Sequence, residues 1–337
     1  MTDLRALREL IDIDSPTGMT DAACDYVQRE LQGYGLEAER TKKGAVRCAL
    51  GPSPRVAVAA HVDTLGAVIS KIRDDGRLTI SPVGGLSLNM AEGEYVRIHT
   101  LAGQIFTGTF LLNDPSAHAN KGLATTERNQ HNMHVRLDEL VSSDSDVRSL
   151  GIRVGDFVCF SPRYEELESG FIKSRFLDNK AGCFTLFEVA RRLRESGREV
   201  PAELFFSTYE EVGHGGTCGY SDGIEELLVI DMGVIGNACQ GDETKCSICA
   251  KDSSGPYDYA MRKRLVSIAE SKGIEHAIDV YPYYGSDGSA ALRAGNDFRV
   301  GLIGPGVAAS HGVERTHRRG IDASIELTLA YLLEAAS

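Results

Sequence analysis

Residues 55–63 read RVAVAAHVD. After Arg55 the run is apolar without a break through Ala60, and it closes on a histidine and an aspartate. A half-buried strand alternates apolar and polar positions. A short strand that is apolar throughout is covered on both faces, as in the parallel sheets of α/β proteins. The segment therefore predicts a central strand between two helix layers. His61 and Asp63 fall at its carboxyl end and, two residues apart, share one face. Ligands of open α/β sheets gather at such ends.

Outward from this strand the same grammar repeats. AVRCAL (45–50), AELFFSTYE (202–210), ELLVIDMG (226–233) and DFRVGLIG (297–304) read as strands. Residues 3–13 and 20–35 carry apolar positions at helical spacing, as do 179–197, 257–273 and 321–337. Strands alternating with helices predict an α/β fold with a mainly parallel sheet sandwiched by helices. From 68 to 168 the texture changes. RLTISPV, EYVRIHTL, QIFTGTFLL, NMHVRLDEL and GDFVCFSPR are short, strand-like and divided by Gly, Asn, Asp and Ser. Close-spaced short strands predict an inserted small β-barrel or sandwich. The expected division is thus 1–67 with 169–337 as one domain, and 68–168 as an insertion.

Composition narrows the class. A chain of 337 residues suits one large α/β domain or two domains. With 42% hydrophobic and 25% charged residues it is ordinary for a globular protein. A net charge of -12 speaks against nucleic acid or an anionic membrane as partner. The start, MTDLRALRELIDIDSPTG, lacks a secretory pattern, and no apolar run is long enough to span a bilayer, so a cytoplasmic location is expected. The eight cysteines are expected as free thiols there. Cys246 and Cys249 form a C-x-x-C with Cys239 nearby, but the second pair that a zinc ribbon needs is missing.

Five places carry residues with chemistry. His61-Val62-Asp63 can offer a metal-binding imidazole with a carboxylate beside it to fix its tautomer. Asp178, in FLDNK, has the plain reading of a helix N-cap. Glu210 and Glu211 follow the strand AELFFSTY; two carboxylates at a buried strand end are costly unless a cation neutralises them. Asp231 ends LLVI, and His311 follows the strand 297–304 after a short loop. Asp231 and His311 each read alone as a polar strand-end residue. Together, two histidines and three carboxylates suit two divalent ions such as zinc, cobalt or manganese. A glycosidase pair is a poorer reading, because its carboxyls must flank a sugar bond while strand neighbours point to opposite faces.

In this order the motifs AAHVDTLG (59–66), FLDNKAG (176–182), STYEEVGHGG (207–216), VIDMG (229–233) and ASHGVERTH (309–317) resemble the glutamyl-aminopeptidase-like family of dinuclear-metal peptidases. That family includes the tetrahedral aminopeptidases and some proteins labelled endoglucanases. The resemblance spans essentially the whole chain and implies a zinc-peptidase-like fold with the insertion as a lid or oligomerisation domain. It implies that Asp178 bridges two ions, zinc first, with cobalt or manganese as alternatives. His61 and Asp231 would complete one site, Glu211 and His311 the other. Asp63 would support His61, and Glu210 would be general base and acid of an aminopeptidase acting on peptides. A related deacylase or carboxypeptidase, and less readily a glycan hydrolase, are the alternatives. YGSDGSAA (284–291) resembles the family's loop near the metals, so Asp287 is expected to shape the pocket. Lys173 and Arg175 could receive an acidic substrate side chain or could equally be solvated. His214 is not expected to ligate, since a sixth ligand would crowd an open site. The family's shells imply a homo-oligomer, with a tetrahedral dodecamer as one such assembly.

Overall fold

In the computed structural model, which describes residues 2–336, strand Val56–His61 is buried at every position. Its alternate residues serve two cores. Val56, Val58 and Ala60 face one apolar cluster, while Ala57 and Ala59 face another. Burying a valine-sized side chain contributes roughly 1.5–3 kcal/mol. A strand covered on both faces buries an apolar side chain at each of positions 56–60, with the two valines contributing most, which is why the apolar run is continuous.

The chain divides into two compact units. The larger joins the segment up to Thr64 with the segment from Arg163 onward. Its sheet has four parallel strands at the centre, in the order Ala202–Ser207, Val56–His61, Glu226–Ile230, Arg299–Val307. Antiparallel neighbours flank them: Val46–Ala49 on one side and Cys246–Asp252 on the other. Helices Arg5–Asp12, Asp21–Gly33, Leu177–Glu195, Tyr259–Lys272 and Arg318–Ala335 contribute to the first core. The opposite core takes Phe205, Val229, Leu302, Tyr281 and Ala291. The expected α/β architecture is present, and the central order places four strand ends side by side.

The smaller unit, Leu65–Pro162, contains a closed six-stranded barrel. Its strands run Gly66–Ile72, Leu78–Val83, Met133–Leu137, Ile105–Leu112, Tyr95–His99 and Phe157–Phe160 around the closure. Phe110 and Phe160 meet edge-to-face inside it, with centroids 5.8 Å apart. The first of these strands was not singled out in the sequence; its alternation is broken by a bulge between Ile69 and Lys71. The unit ends at Pro162 rather than at 168 because Glu165–Glu166 pairs with Phe171–Ser174, which pairs with Glu314–His317 of the larger unit.

Two local readings need correction. Asp178 is no side-chain N-cap: Phe176 takes the cap position in a left-handed conformation, and Asp178 itself is non-helical. Glu210 and Glu211 do not continue the strand; it ends at Ser207 and they lie on a 3-10 turn. His317 Nδ1 accepts the N–H of Arg319 and caps the last helix. Cys246 and Cys249 are free and pack into opposite faces of the sheet.

Candidate metal centre

The carboxyl ends of the four parallel strands supply the site. His61 is the last residue of its strand and pairs in register with Ser207, the last of the next. Asp231 follows Ile230 directly, and its N–H donates to Ile303 O at 2.9 Å. That approach is close: a Cβ on Gly304 would stand 1.8 Å from the Asp231 carbonyl oxygen. His311 follows the fourth strand, with a positive φ of 64°.

Asp178 sits between two clusters. Its Oδ1 lies 3.2 Å from His61 Nε2, and its Oδ2 lies 3.7 Å from His311 Nε2. Asp231 Oδ1 stands 4.0 Å from His61 Nε2, and Glu211 Oε2 stands 3.8 Å from His311 Nε2. Two ligand groups follow, His61–Asp178–Asp231 and Asp178–Glu211–His311, each with donor atoms within 4.8 Å of one another. Ligands held about 2.0–2.2 Å from a tetrahedral zinc lie roughly 3.3–3.6 Å apart, so these donors need only small adjustments. Nitrogen and carboxylate donors of this kind suit borderline divalent ions.

The remaining site residues hold this set in place. Asp63 Oδ1 accepts the N–H of Glu210 at 3.2 Å. Its Oδ2 accepts the N–H of Glu211 at 3.3 Å and the hydroxyl of Thr17 at 2.6 Å. His61 Nδ1 lies 2.9 Å from the carbonyl oxygen of Asp63 and 3.6 Å from its carboxylate. Asp63 thus orients His61 mainly through its backbone and uses its carboxylate on the double-glutamate turn. Buried Glu314 accepts the N–H of Asp178 at 3.0 Å and that of His311 at 3.1 Å. Asp287 accepts the N–H of Gly216 at 2.6 Å and the hydroxyl of Ser207, clamping both ends of the turn. The carboxylate of Glu210 points back toward His61 Nε2, 3.7 Å away.

The electrostatics of the chain alone are strained. Burial, then Asp178, pushes Asp231 up to about 8. Burial, then Asp231, Asp287 and Asp178, raises Glu210 well above the usual carboxylate range, with His61 opposing. Burial and Asp178 do the same to Glu211. His61 would be lowered by its burial, but the Asp178 hydrogen bond and the surrounding carboxylates outweigh this and raise it. Asp178 would be raised by burial, yet His61 and His311 hold it below its ordinary value. So many buried acids in contact call for added positive charge, which divalent cations supply.

Sequence reasoning named eight residues that the structure brings together: His61, Asp63, Asp178, Glu210, Glu211, Asp231, Asp287 and His311. Lys173 is paired with Glu165 on the small three-stranded sheet, its side chain 40% exposed, and Arg175 next to that strand is buried. His214 is exposed, stacked on Tyr209, and belongs to neither ligand group. Thr17 and the clamping role of Glu314 were missed. Glu314 was visible as an acid three residues past His311, but nothing local tied it to Asp178.

This sheet order, with imidazoles and buried carboxylates at its carboxyl ends, defines an α/β enzyme of the zinc-peptidase-like fold. The profile of the M42 glutamyl aminopeptidase family matches residues 44–327, and the chain belongs to that family. It is accordingly a peptidase, of a metal-dependent family, with the residues to hold metal. It is 44% identical over 334 residues to the Bacillus subtilis protein named "Putative aminopeptidase YhfE", covering 98% of this chain and 96% of that one. It is 25% identical over 236 residues to the lysyl aminopeptidase of Pyrococcus furiosus, covering 69% and 67%. The Pyrococcus horikoshii TET1 peptidase, which can assemble into a tetrahedron or a large octahedral shell, shares the fold with a TM-score of 0.86 at 22% identity, over 98% of both chains. Among the described residues no helix is long and apolar enough to cross a membrane.

Proposed function

We propose that this chain removes the amino-terminal residue from peptides, with two divalent ions per subunit as cofactor. The observation that carries this reading is the shared ligand: Asp178 has one oxygen on the His61–Asp231 side and the other on the His311–Glu211 side. When bound, the ions would polarise the scissile carbonyl, acidify the attacking water and anchor the substrate's free amine.

The chain's own residues do the rest. Glu210 takes the water's proton and passes it to the leaving amine. Its carboxyl is raised by burial and by neighbouring acids, the direction that suits a group that must both accept and donate near neutrality. Asp63 and Asp287 fix the turn that carries it. Glu314 fixes the backbones of Asp178 and His311. Zinc is the ion proposed, with cobalt or manganese able to fill the same nitrogen and oxygen donors.

The barrel unit is proposed as a lid or assembly domain, and the chain as a homo-oligomer, with a tetrahedral dodecamer supported by the likeness to the P. horikoshii shell-forming peptidase. The family bears a glutamyl name, while a relative bears a lysyl one. Lys173 and Arg175 remain the candidates for an acidic preference.

The test is a panel of aminoacyl amides, free and amino-blocked, assayed after reconstitution with zinc, cobalt or manganese alongside metal analysis. Cleavage of the free amines alone, with about two ions per chain, is the expected result. Cleavage of blocked substrates would select a deacylase instead, and no bound metal after reconstitution would sink the dinuclear reading.

A further inference from the structure

Near its start the helix Leu177–Glu195 carries Asp178, Asn179 and Lys180, all buried. Each ties down a different part of the chain. Asp178 N–H goes to Glu314. Lys180 Nζ donates to the carbonyl oxygens of Leu10, at 2.9 Å, and Ile13, at 2.6 Å, where the helix Arg5–Asp12 ends. Asn179 belongs to neither ligand group. Its Nδ2 donates to Ile230 O at 2.8 Å. Among the described residues this is the single hydrogen bond of its side chain, since Oδ1 meets no partner. The amide is closely seated: a Cβ on Gly182 would stand 2.3 Å from Asn179 Oδ1 and 2.7 Å from Ile230 O. The missing side chain at 182 is what lets the amide reach that carbonyl.

The carbonyl belongs to the peptide between Ile230 and Asp231. The N–H of the same peptide donates to Ile303 O at 2.9 Å. Both polar ends of the peptide plane are therefore held, one by the neighbouring strand and one by Asn179. Asp231 Oδ1 in turn accepts the N–H of Met232 at 2.7 Å and stands 4.0 Å from His61 Nε2. Asn179 directly follows Asp178, so one side chain ties the backbone of the shared ligand to that of Asp231. The other ligand group is held differently. Asp63 takes Glu211 N–H, and Glu314 takes His311 N–H. The residue type fits the task. An apolar side chain would leave the buried Ile230 carbonyl unpaired, and a carboxylate would set oxygen against oxygen.

We propose that Asn179 is a positioning residue that fixes Asp231 relative to Asp178, and thereby sets the affinity of the ion on the His61 side alone. This rests on the reading of two ions that share Asp178. Groups that orient metal ligands change metal affinity by about 10- to 100-fold when removed.

The test measures zinc affinity by calorimetry against a competing chelator. Asn179→Ala, and Asn179→Leu as a branched replacement of similar size, are each made in three backgrounds. These are wild type, Glu211→Gln, which keeps the His61 group whole, and Asp231→Ala, which keeps the His311 group whole. In wild type and in Glu211→Gln, loss of the amide should weaken one ion about 10- to 100-fold. In Asp231→Ala it should leave the remaining ion as it is, because the carboxylate that Asn179 positions is gone. Cobalt(II) gives a second readout: the visible spectrum should shift with Asn179 in the Glu211→Gln background and not in the Asp231→Ala background. Equal weakening in those two backgrounds would overturn the proposal by assigning Asn179 to general packing. Unchanged affinity in all three would overturn it too. If wild type takes up one ion rather than two, the two-ion reading fails separately. Whether that ion's dependence on Asn179 vanishes with Asp231 then still decides the proposal. If wild type takes up no zinc, both fall.

Discussion

Asp63 receives the backbone N–H of Glu210 on its Oδ1, at 3.2 Å, while its own carbonyl oxygen lies 2.9 Å from His61 Nδ1. One residue therefore aims the candidate base and a candidate ligand together. Its other carboxylate oxygen takes Glu211 N–H and the Thr17 hydroxyl. Asp63→Asn keeps the volume but replaces one acceptor with an NH₂ that faces donors. Partners of this kind typically cost 10- to 100-fold in activity or metal affinity when changed, so a loss of about that size in kcat/KM is expected. Steady-state kinetics with metal analysis checks it. Unchanged turnover would remove Asp63 from the machinery.

The two adjacent glutamates should separate by assay. Glu210→Gln removes the proton carrier and leaves every candidate ligand, so kcat should fall roughly 10²- to 10⁴-fold with metal content intact. Glu211→Gln removes a ligand from the His311 side. Its metal content should drop toward one ion per chain. If both variants lose metal alike, the division of labour between them is wrong.

Asp178 is common to both ligand groups, whereas Asp231 belongs to one. Asp178→Ala should abolish tight binding of both ions, and Asp231→Ala should leave about one. Elemental analysis after dialysis reads the stoichiometry directly. Equal loss in the two variants would speak against Asp178 as the bridge.

The raised carboxyls make a pH prediction for chelated protein. Unfolded carboxylates titrate near 4. Asp231 in the folded chain is pushed up to about 8 by burial and then Asp178. Burial also raises Glu210, Glu211, Asp287 and Glu314. Between the two values the folded chain binds more protons than the unfolded one, so stability falls as pH rises. His61, also raised, acts in the same sense above its unfolded value, whereas Asp178, lowered, changes stability only below the ordinary carboxylate range and so drops out of this window. The thermal midpoint of chelated protein should therefore decline from about pH 5.5 to 8. Saturating zinc should remove that decline, because the ions displace the same protons. A midpoint that rises with pH in the chelated protein would contradict this balance.

The strand ends were legible in the sequence because burial on both faces forces an apolar run, and such a run has a visible end. His61, Asp231 and the position of Glu210-Glu211 follow from that alone. What the runs could not convey is how the ends are joined. Glu314 reaches Asp178 across 136 residues, and Thr17 reaches Asp63 across 46, which no local period records. The conformation of Asp178 was masked by its helical neighbourhood: the segment after it is strongly helical, so an N-cap was the economical reading. The turn at Glu210 was misread as strand for the same reason, since β character runs up to Ser207.

Gly215 tests whether the turn's position, rather than its residues, limits the reaction. A Cβ there would stand 2.3 Å from Asp287 Oδ1 and 2.7 Å from the backbone nitrogen of Glu210. Gly215→Ala must therefore displace the Asp287 clamp, the Glu210 backbone, or both. Overpacking of this kind costs about 1–3 kcal/mol, and a misplacement near 1 Å can cost on the order of 10²-fold in rate. The control is Gly197→Ala. Gly197 has φ of +64° with nothing within 4 Å of its would-be Cβ. It follows the helix Leu177–Glu195, whose 19 residues span roughly 28 Å. Its alanine should lower the thermal midpoint through backbone strain alone and leave kcat unchanged. Gly215→Ala should lower kcat far beyond any change in midpoint, with all candidate ligands still present. If both variants lose stability in step and neither loses rate, the carboxylate of Asp287 yields to the added methyl without moving Glu210, and the clamp does not set the position of the base.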